Sequence, residues 1–460
     1  MVELLRASVL SDDEKATINA LVAKIRKDAG PLEKLDRTYD ALQRIQHIGL
    51  SVPPELRDVT TTIINIPRIS VDEPVLRQHV RGFYRASDST NEDEGLRRAW
   101  EANNLASEST IVHTDEKIFG RTYVSVGANP DNAEQPLIVA EDPRQLGTEV
   151  DSRARQITSA FRLYRPDQGP GAATRGTLYL PNSTIHVVRG RNGWAIDEEF
   201  ARDDHRLGVV PIVGFMHRRR TGHTGRSEMA DVIKMTEDVA RLFSNMMTTS
   251  DALATPGRWA AGVTKDDFVD KHGKPLPAWE AYITAIKATA NKDAKFGQFE
   301  AAQLSNFYET VNSIFAWCAA ILGLPTRYAG QQTANPAAEG AIRADEARLI
   351  GRVELMNRFD GDSWAWVMGL EERFRTGDWG DPNSIRVLWQ DPATPTVSQI
   401  GDVAVKFRQV GAISLEGMWD MLGWDEPRKK QERNRLAAEA EDPFLASIMR
   451  PAVDAPTVGA

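Results

Sequence analysis

Few side chains in this 460-residue chain stand at spacings that do chemistry. The stretch Gly169-Pro-Gly-Ala-Ala-Thr-Arg-Gly176 comes nearest to a phosphate loop. It lacks the Gly-Lys-Ser/Thr ending that supplies an ammonium to the phosphates and a hydroxyl to magnesium, and it lies between candidate strands, so a turn is expected. The eight histidines are scattered, and neither a His-Glu-x-x-His helix nor a cysteine pair offers a zinc site. His217 and His223 flank a basic loop and are expected to be solvated. Asp88 to Gly95 and Asp360 to Asp362 are acidic but lack calcium-loop spacing. No Gly-x-Ser-x-Gly elbow occurs, and Asp203-Asp204 and Asp266-Asp267 look like surface charge. The lone Cys318 lies on an apolar helical face and is expected to be a buried small hydrophobe. These residues do not support an enzyme, a metal or another cofactor. One basic cluster stands out, Arg218-Arg219-Arg220; a solvated loop, a contact to a neighbouring subunit and a contact to phosphates all remain open for it.

The elements around these residues are mostly long helices. From Arg226 to Phe374 the pattern predicts an amphipathic helix, a compact interruption, a second amphipathic helix, a Gly/Pro loop and a third, very long helix. Met229, Val232, Ile233, Thr236, Val239, Ala240, Phe243 and Met247 recur at three- and four-residue steps and so share one face. Leu304, Phe307, Tyr308, Val311, Ile314, Phe315, Cys318 and Leu322 repeat the pattern. The third helix, from about Ala337 to Phe374, would span roughly 55 Å if unbroken. A helix of that length spans an assembly, wraps a core or bends, and Asp360-Gly361-Asp362 is the expected weak point.

Residues 1 to about 225 are expected to form an α+β domain. Ser11 with Glu14 forms a capping box that starts a helix; Gly30-Pro31 is expected to end it, with a second helix running on to about Ile48. Thr60–Ile66 is expected to be a strand, and Leu76–Phe83, Asp93–Asn103 and Ser107–Phe119 to be helices. Strands are expected at Thr122–Val126, Leu137–Ala140, Ile157–Tyr164, Gly176–Leu180, Thr184–Arg189, Trp194–Glu198 and Val209–Phe215, separated by turn signals. Within the interruption at 253–303, Trp259–Val263 and Phe296–Phe299 are expected to flank a helix from Trp279 to Ala290. Ile385–Trp389 reads as a further strand, and Val397–Val410, Ser414–Leu422 and Glu426–Glu441 as helices.

Composition is that of a folded protein, 41% hydrophobic and 26% charged, with a net charge of −9. So acidic a chain is poorly suited to gripping nucleic acid over a broad surface, because tight non-specific binding needs phosphates neutralised by Lys and Arg. The opening residues lack a basic stretch leading into a long apolar core, so no secretory signal is expected. No apolar run approaches the roughly 20 residues that span a bilayer. A soluble chain suited to a reducing cytoplasm is expected, with no membrane partner.

Three stretches, taken in order, resemble the portal proteins of tailed bacteriophages of the siphophage type. Trp100-Glu-Ala-Asn103-Asn104-Leu105 with Asp115-Glu-Lys-Ile-Phe-Gly120-Arg-Thr-Tyr123-Val124 looks like the family's wing helix leading into its first strands. Asn335-Pro336-Ala-Ala-Glu339-Gly-Ala-Ile342-Arg343 resembles the start of the helix after the tunnel loop, with Ala337-Ala338 where a Ser would be expected. Ile413-Ser414-Leu-Glu416-Gly-Met-Trp419 is similar to a helix near the end of such chains. The resemblance implies an α+β, portal-like fold: a mixed wing (1–225 with 377–393), stem helices at 226–252 and 304–322, a small α/β clip (253–303), a tunnel loop (323–336), a long kinked helix (337–376) and a helical crown and tail (394–460). It implies a dodecameric ring at one capsid vertex, assembled in the host cytoplasm. Double-stranded DNA would pass through non-specifically, and the terminase large subunit, head–tail adaptor and major capsid protein would be partners. Arg327, Tyr328, Gln331, Gln332, Thr333 and Asn335 would face DNA from the tunnel loop, and Lys265, Asp266, Asp267, Lys271 and Lys274 would bind partners from the clip. Two rivals are a helical scaffold or adaptor without a central channel and an enzyme with an unrecognised site in the 120–215 β region.

Overall fold

The computed structural model describes residues 9–43, 63–129, 131–132, 134–164, 174–198, 202–221, 225–253, 258–262, 274, 293–298, 304–325, 328, 339–393, 397–424 and 426–441. The chain divides into two compact units, residues 1–392 and 393–460.

Helix α1 (Asp12–Tyr39) opens with the expected capping box: the Glu14 amide donates to Ser11 Oγ at 3.1 Å and the Ser11 amide to Glu14 Oε2 at 2.8 Å. It does not stop at Gly30-Pro31 but runs through both. Proline removes one amide donor and not the apolar stripe; Ile18, Leu21, Val22, Ile25 and Leu32 all stay buried. Helix α2 (Ile66–Val75) replaces the expected strand end. Asn65 caps it by accepting from the Arg68 amide at 3.1 Å, and Pro67 sits in the first turn, where its missing N–H costs nothing. The helix expected from Leu76 ends instead at Leu76, and strand β1 (Val80–Arg85) follows. The partner that makes β1 a strand lies far ahead in the sequence. Strand β2 (Asp88–Glu92) returns along it, and helices α3 (Glu94–Ala102) and α4 (Leu105–Phe119) complete the layer.

Seven of the eight strands that follow, from β3 to β10, lie where alternation and turns placed them: β3 (Arg121–Gly127), β4 (Leu137–Glu141), β6 (Ile157–Leu163), β7 (Thr174–Tyr179), β8 (Thr184–Gly190), β9 (Gly193–Ile196) and β10 (Ile212–Met216). Strand β5 (Leu146–Val150) was not foreseen. Among the described residues, β5-β6-β7-β8-β9 form an antiparallel meander and β10-β3-β4 a second sheet. Helix α1 lies on the meander, its Ile18, Leu21 and Ile25 against Phe161, Leu178, Ile185 and Trp194.

A 3-10 turn (Glu228–Asp231) leads into α5 (Ile233–Leu253). The two strands expected in the insert are β11 (Arg258–Ala261) and β12 (Lys295–Gln298), and they pair antiparallel; the expected helix from Trp279 to Ala290 lies outside the described residues. Helix α6 (Ser305–Leu322) returns and packs on α5. Cys318 is buried as expected, and burial pushes its thiol up to about 11. Helix α7 (Glu339–Thr376) continues unbroken through Asp360-Gly361-Asp362. Gly361 there lies against β13 (Ile385–Trp389), where an added Cβ would meet Trp389 Nε1 at 3.2 Å.

β13 pairs with β1, giving a three-stranded sheet β13-β1-β2. The largest core gathers on Trp364 of α7. Trp100 meets it edge-on at 5.0 Å and Phe215 at 4.9 Å, with Phe83, Val367, Met368, Leu370 and Ile385 around them. The long helix is therefore the spine of the α+β region.

In the second unit α8 (Val397–Gln409), α9 (Leu415–Met421) and α10 (Glu426–Glu441) follow the expected order. Ser414 caps α9 through the Gly417 amide, and buried Trp419 stacks on Trp424 at 5.7 Å.

Removing the ring at the centre of the main core tests this packing. Trp364→Ala is expected to cost about 3–5 kcal/mol, read as a lower urea midpoint; an unchanged midpoint would contradict the arrangement.

Candidate functional site

Of the expected site residues, Tyr328 and Lys274 are described; Arg327, Gln331, Gln332, Thr333, Asn335, Lys265, Asp266, Asp267 and Lys271 lie outside the described residues. Tyr328 is half-buried in the cluster of Ile66, Leu324 and Leu349. Its hydroxyl accepts from Arg77 Nη2 at 3.1 Å and donates to Glu346 Oε1 at 3.2 Å, so it ties the segment after α6 to the turn that follows α2 and to α7. Lys274 is exposed.

A group that sequence reading missed joins the helices behind this segment. Lys117 is fully buried, and its Nζ donates to Glu116 Oε2 at 2.7 Å and to Asp360 Oδ2 at 3.2 Å. Gln78 donates to the same Asp360 oxygen at 2.9 Å and to Asn357 Oδ1 at 3.1 Å. One ammonium between two carboxylates leaves a surplus negative charge, which a dry interior does not tolerate. Burial and the neighbouring Asp360 charge push Glu116 up to about 8, so at neutral pH it mostly keeps its proton. Burial is the strongest single influence on Asp360 and opposes its ionisation, but the Lys117 charge and the hydrogen bonds from Gln78 and Lys117 together outweigh it and hold Asp360 below the usual range. His113 completes the group. Burial and Lys117 lower it to about 3, and its Nε2 accepts from Trp364 Nε1 at 3.0 Å, which a protonated ring could not do.

Beside it, Glu228 in the turn before α5 accepts from His217 at 2.6 Å and from Arg352 of α7, and forms an ion pair with Arg218 at 3.4 Å. Burial raises Glu228, but the His217 hydrogen bond and the two arginines more than offset it. His217, expected to be solvated, is buried, and burial lowers its pKa. The backbone crosses itself here. Gly120 and Gly225 both have positive φ, and an added Cβ at Gly120 would lie 2.7 Å from the Arg226 carbonyl carbon, so only glycine fits. The signal for these residues was in the helical phase. Leu105, Ser109, Val112, Glu116 and Phe119 share one stripe of α4, and Leu349, Val353, Met356, Asp360, Trp364 and Val367 one stripe of α7. In each, an acid occupies an inward position.

Arg218 splits from its neighbours. It has positive φ and turns inward to Asp231 at 2.8 Å, while Arg219 and Arg220 point to the surface.

The rods also carry apolar surface that is exposed among the described residues. Trp317 is 59% exposed and Phe359 51% exposed, each with an apolar neighbour four residues away that is also exposed, Ile321 and Leu355. Four residues is the spacing that places side chains on one face of a helix. Among the described residues no helix is long and apolar enough to cross a membrane, and no group of three or more His, Cys, Asp or Glu is placed to hold a metal ion.

Residues 22–443 match the family described as phage portal protein, SPP1 Gp6-like. The portal protein of Mycobacterium phage L5 is 33% identical over 436 residues, 91% of this chain and 87% of the relative. That of Mycobacterium phage D29 is 34% identical over 417 residues, 87% of this chain and 84% of the relative. A chain from a solved structure titled the neck of a native GTA particle computed with C12 symmetry overlays on 86% of this chain and 94% of its own length, at 11% identity and a TM-score of 0.43.

The shared proton gives the site a pH signature. Because folding raises Glu116 from 4.5 to about 8, its contribution is full below pH 4.5 and is lost as pH rises through 8. Wild type is expected to lose melting temperature as pH rises from about 5 to 8 and to level off above that, and Glu116→Gln to flatten that slope. Equal slopes would contradict the shared proton.

Proposed function

The chain belongs to the SPP1 Gp6-like family of phage portal proteins, and from that premise we propose that it assembles as a twelve-subunit ring at one capsid vertex, through which double-stranded DNA enters and leaves. The observation that carries this reading is the exposed apolar face of α6 and α7, Trp317 with Ile321 and Leu355 with Phe359. Such faces find partners in neighbouring copies, and a closed ring satisfies every copy at once.

In that ring the wing comprises residues 1–225 and 377–393. Residues 226–252 and 304–322 form the stem, 253–303 the clip, 323–336 the tunnel loop, 337–376 the long helix and 394–460 the crown. Tyr328 roots the tunnel loop through Arg77 and Glu346, while Arg327, Gln331, Gln332, Thr333 and Asn335 meet the duplex. Neutral polar groups suit a moving substrate, since they hydrogen-bond phosphates weakly. Copies that each carry −9 repel DNA as a whole, and a wall that gripped phosphates would hold it still. The clip, with Lys265, Asp266, Asp267, Lys271 and Lys274, docks the terminase large subunit during packaging and the head–tail adaptor afterwards. The outer wing meets the major capsid protein. The chain supplies structure and no catalysis; assembly takes place in the host cytoplasm and the ring ends in the virion.

Two experiments test this reading. Trp317→Ser combined with Phe359→Ser is expected to shift sedimentation from rings to monomers with the circular dichroism spectrum preserved; undiminished rings would sink the assigned interface. Gln331→Asp with Gln332→Asp is expected to leave rings intact and lower packaged DNA, and wild-type packaging would remove the loop from the conduit.

A further inference from the structure

The wing holds a cavity of about 390 Å³ between α1, the β5–β6 turn and the end of β10. It lies apart from the stem, the clip and the tunnel loop. Its floor is apolar: Ile25, Tyr123 and Leu146 are buried there, with Ile157 and Met216 beside them. Its rim is basic, formed by Lys24, Arg121, Arg155, Arg219 and Arg220. Three carboxylates, Asp28, Glu149 and Asp151, share the rim, which leaves a surplus of two positive charges in a chain whose net charge is −9.

Each carboxylate is already engaged. Asp28 accepts from Arg121 Nη2 at 2.5 Å, Glu149 lies 3.8 Å from Lys24 Nζ, and Asp151 accepts from the Arg153 and Ala154 amides at 2.6 and 3.0 Å. Arg155, Arg219 and Arg220 make no ion pair among the described residues. Arg121 Nε is buried and has no hydrogen-bond partner among them, and a buried donor left unpaired is costly. Arg155 reaches the rim with φ +56, and the positive φ of Arg218 sends Arg219 and Arg220 to the rim while Arg218 itself turns inward. Both are conformations that an L side chain rarely adopts.

We propose that this cavity binds a small phosphate monoester carried on a flat apolar body, a molecule of mononucleotide size. A monoester carries about −1.5 to −2 charges at neutral pH, which matches the surplus of two. Guanidinium forks suit its several oxygens better than a single carboxylate would use them. The volume falls within the range of small-ligand sites and is closed by an apolar floor; a duplex backbone is convex and would leave that floor empty.

Calorimetric titration of the full-length protein with adenosine 5′-monophosphate tests the site. Binding is expected, with competition by inorganic phosphate and none detectable for adenosine. Arg155→Ala combined with Arg219→Ala removes exposed side chains, so an unchanged melting temperature is expected to accompany a loss of affinity of about tenfold or more. Four results would overturn the proposal: no heat with the monophosphate, equal binding of adenosine, wild-type affinity in the double variant, or tighter arginine-dependent binding of a short blunt DNA duplex without terminal phosphates. The last would assign the arginines to nucleic-acid backbone.

Discussion

A single buried ammonium holds the architecture together. Lys117 sits at the end of α4, and its two carboxylate partners come from its own helix and from the middle of α7. A charge with no access to water must be matched, so α4 and α7 cannot slide past each other without leaving Lys117 or Asp360 alone in the interior. The Glu116 proton makes the group neutral overall. Next to it, Glu228 gathers His217, Arg218 and Arg352, which fixes the turn before α5 to the same long helix. Helices α4 and α7 and the turn before α5 are thus located relative to one another by polar contacts of defined geometry, around which Trp364 and its neighbours supply apolar burial.

That fixed frame gives the exposed faces their meaning. Val239 and Ala240 of α5, Val232 just before it, and Val311, Cys318 and Leu322 of α6 are buried within the chain. Trp317, Ile321, Leu355 and Phe359 are not, although they lie on helices held rigidly by their other faces. A rigid rod with apolar residues on two sides needs two packing partners, and one chain provides one. The proposed ring supplies the second partner from neighbouring copies, and the acidity of the chain suits the conduit proposed for it.

Local patterns were legible wherever a local cause sufficed. Alternation and turns located β3, β4 and the strands from β6 to β10, the Ser11–Glu14 pair located the start of α1, and the three-and-four spacing located α5 and α6. Failures had distant causes. β1 is a strand because β13 pairs with it, and nothing near Val80 says so. Pro31 did not stop α1, because both sides of it are held by packing, Ile18, Leu21 and Ile25 on the meander and Leu32 against Val71, Val75 and Ile118. The portal family was legible through resemblance, whereas the Lys117 group was not, because Asp360 read as a bend and Glu116 only as part of a helix. Their inward helical phase was the available sign, and at Asp360 the flanking glycine suggested flexibility where it provides room for Trp389.

End-on class averages of the purified protein by electron microscopy bear most directly on the central claim. Subunits built on this frame are expected to appear as a closed ring around an open centre. Compact particles without a hole, at concentrations where the protein is fully folded, would contradict it.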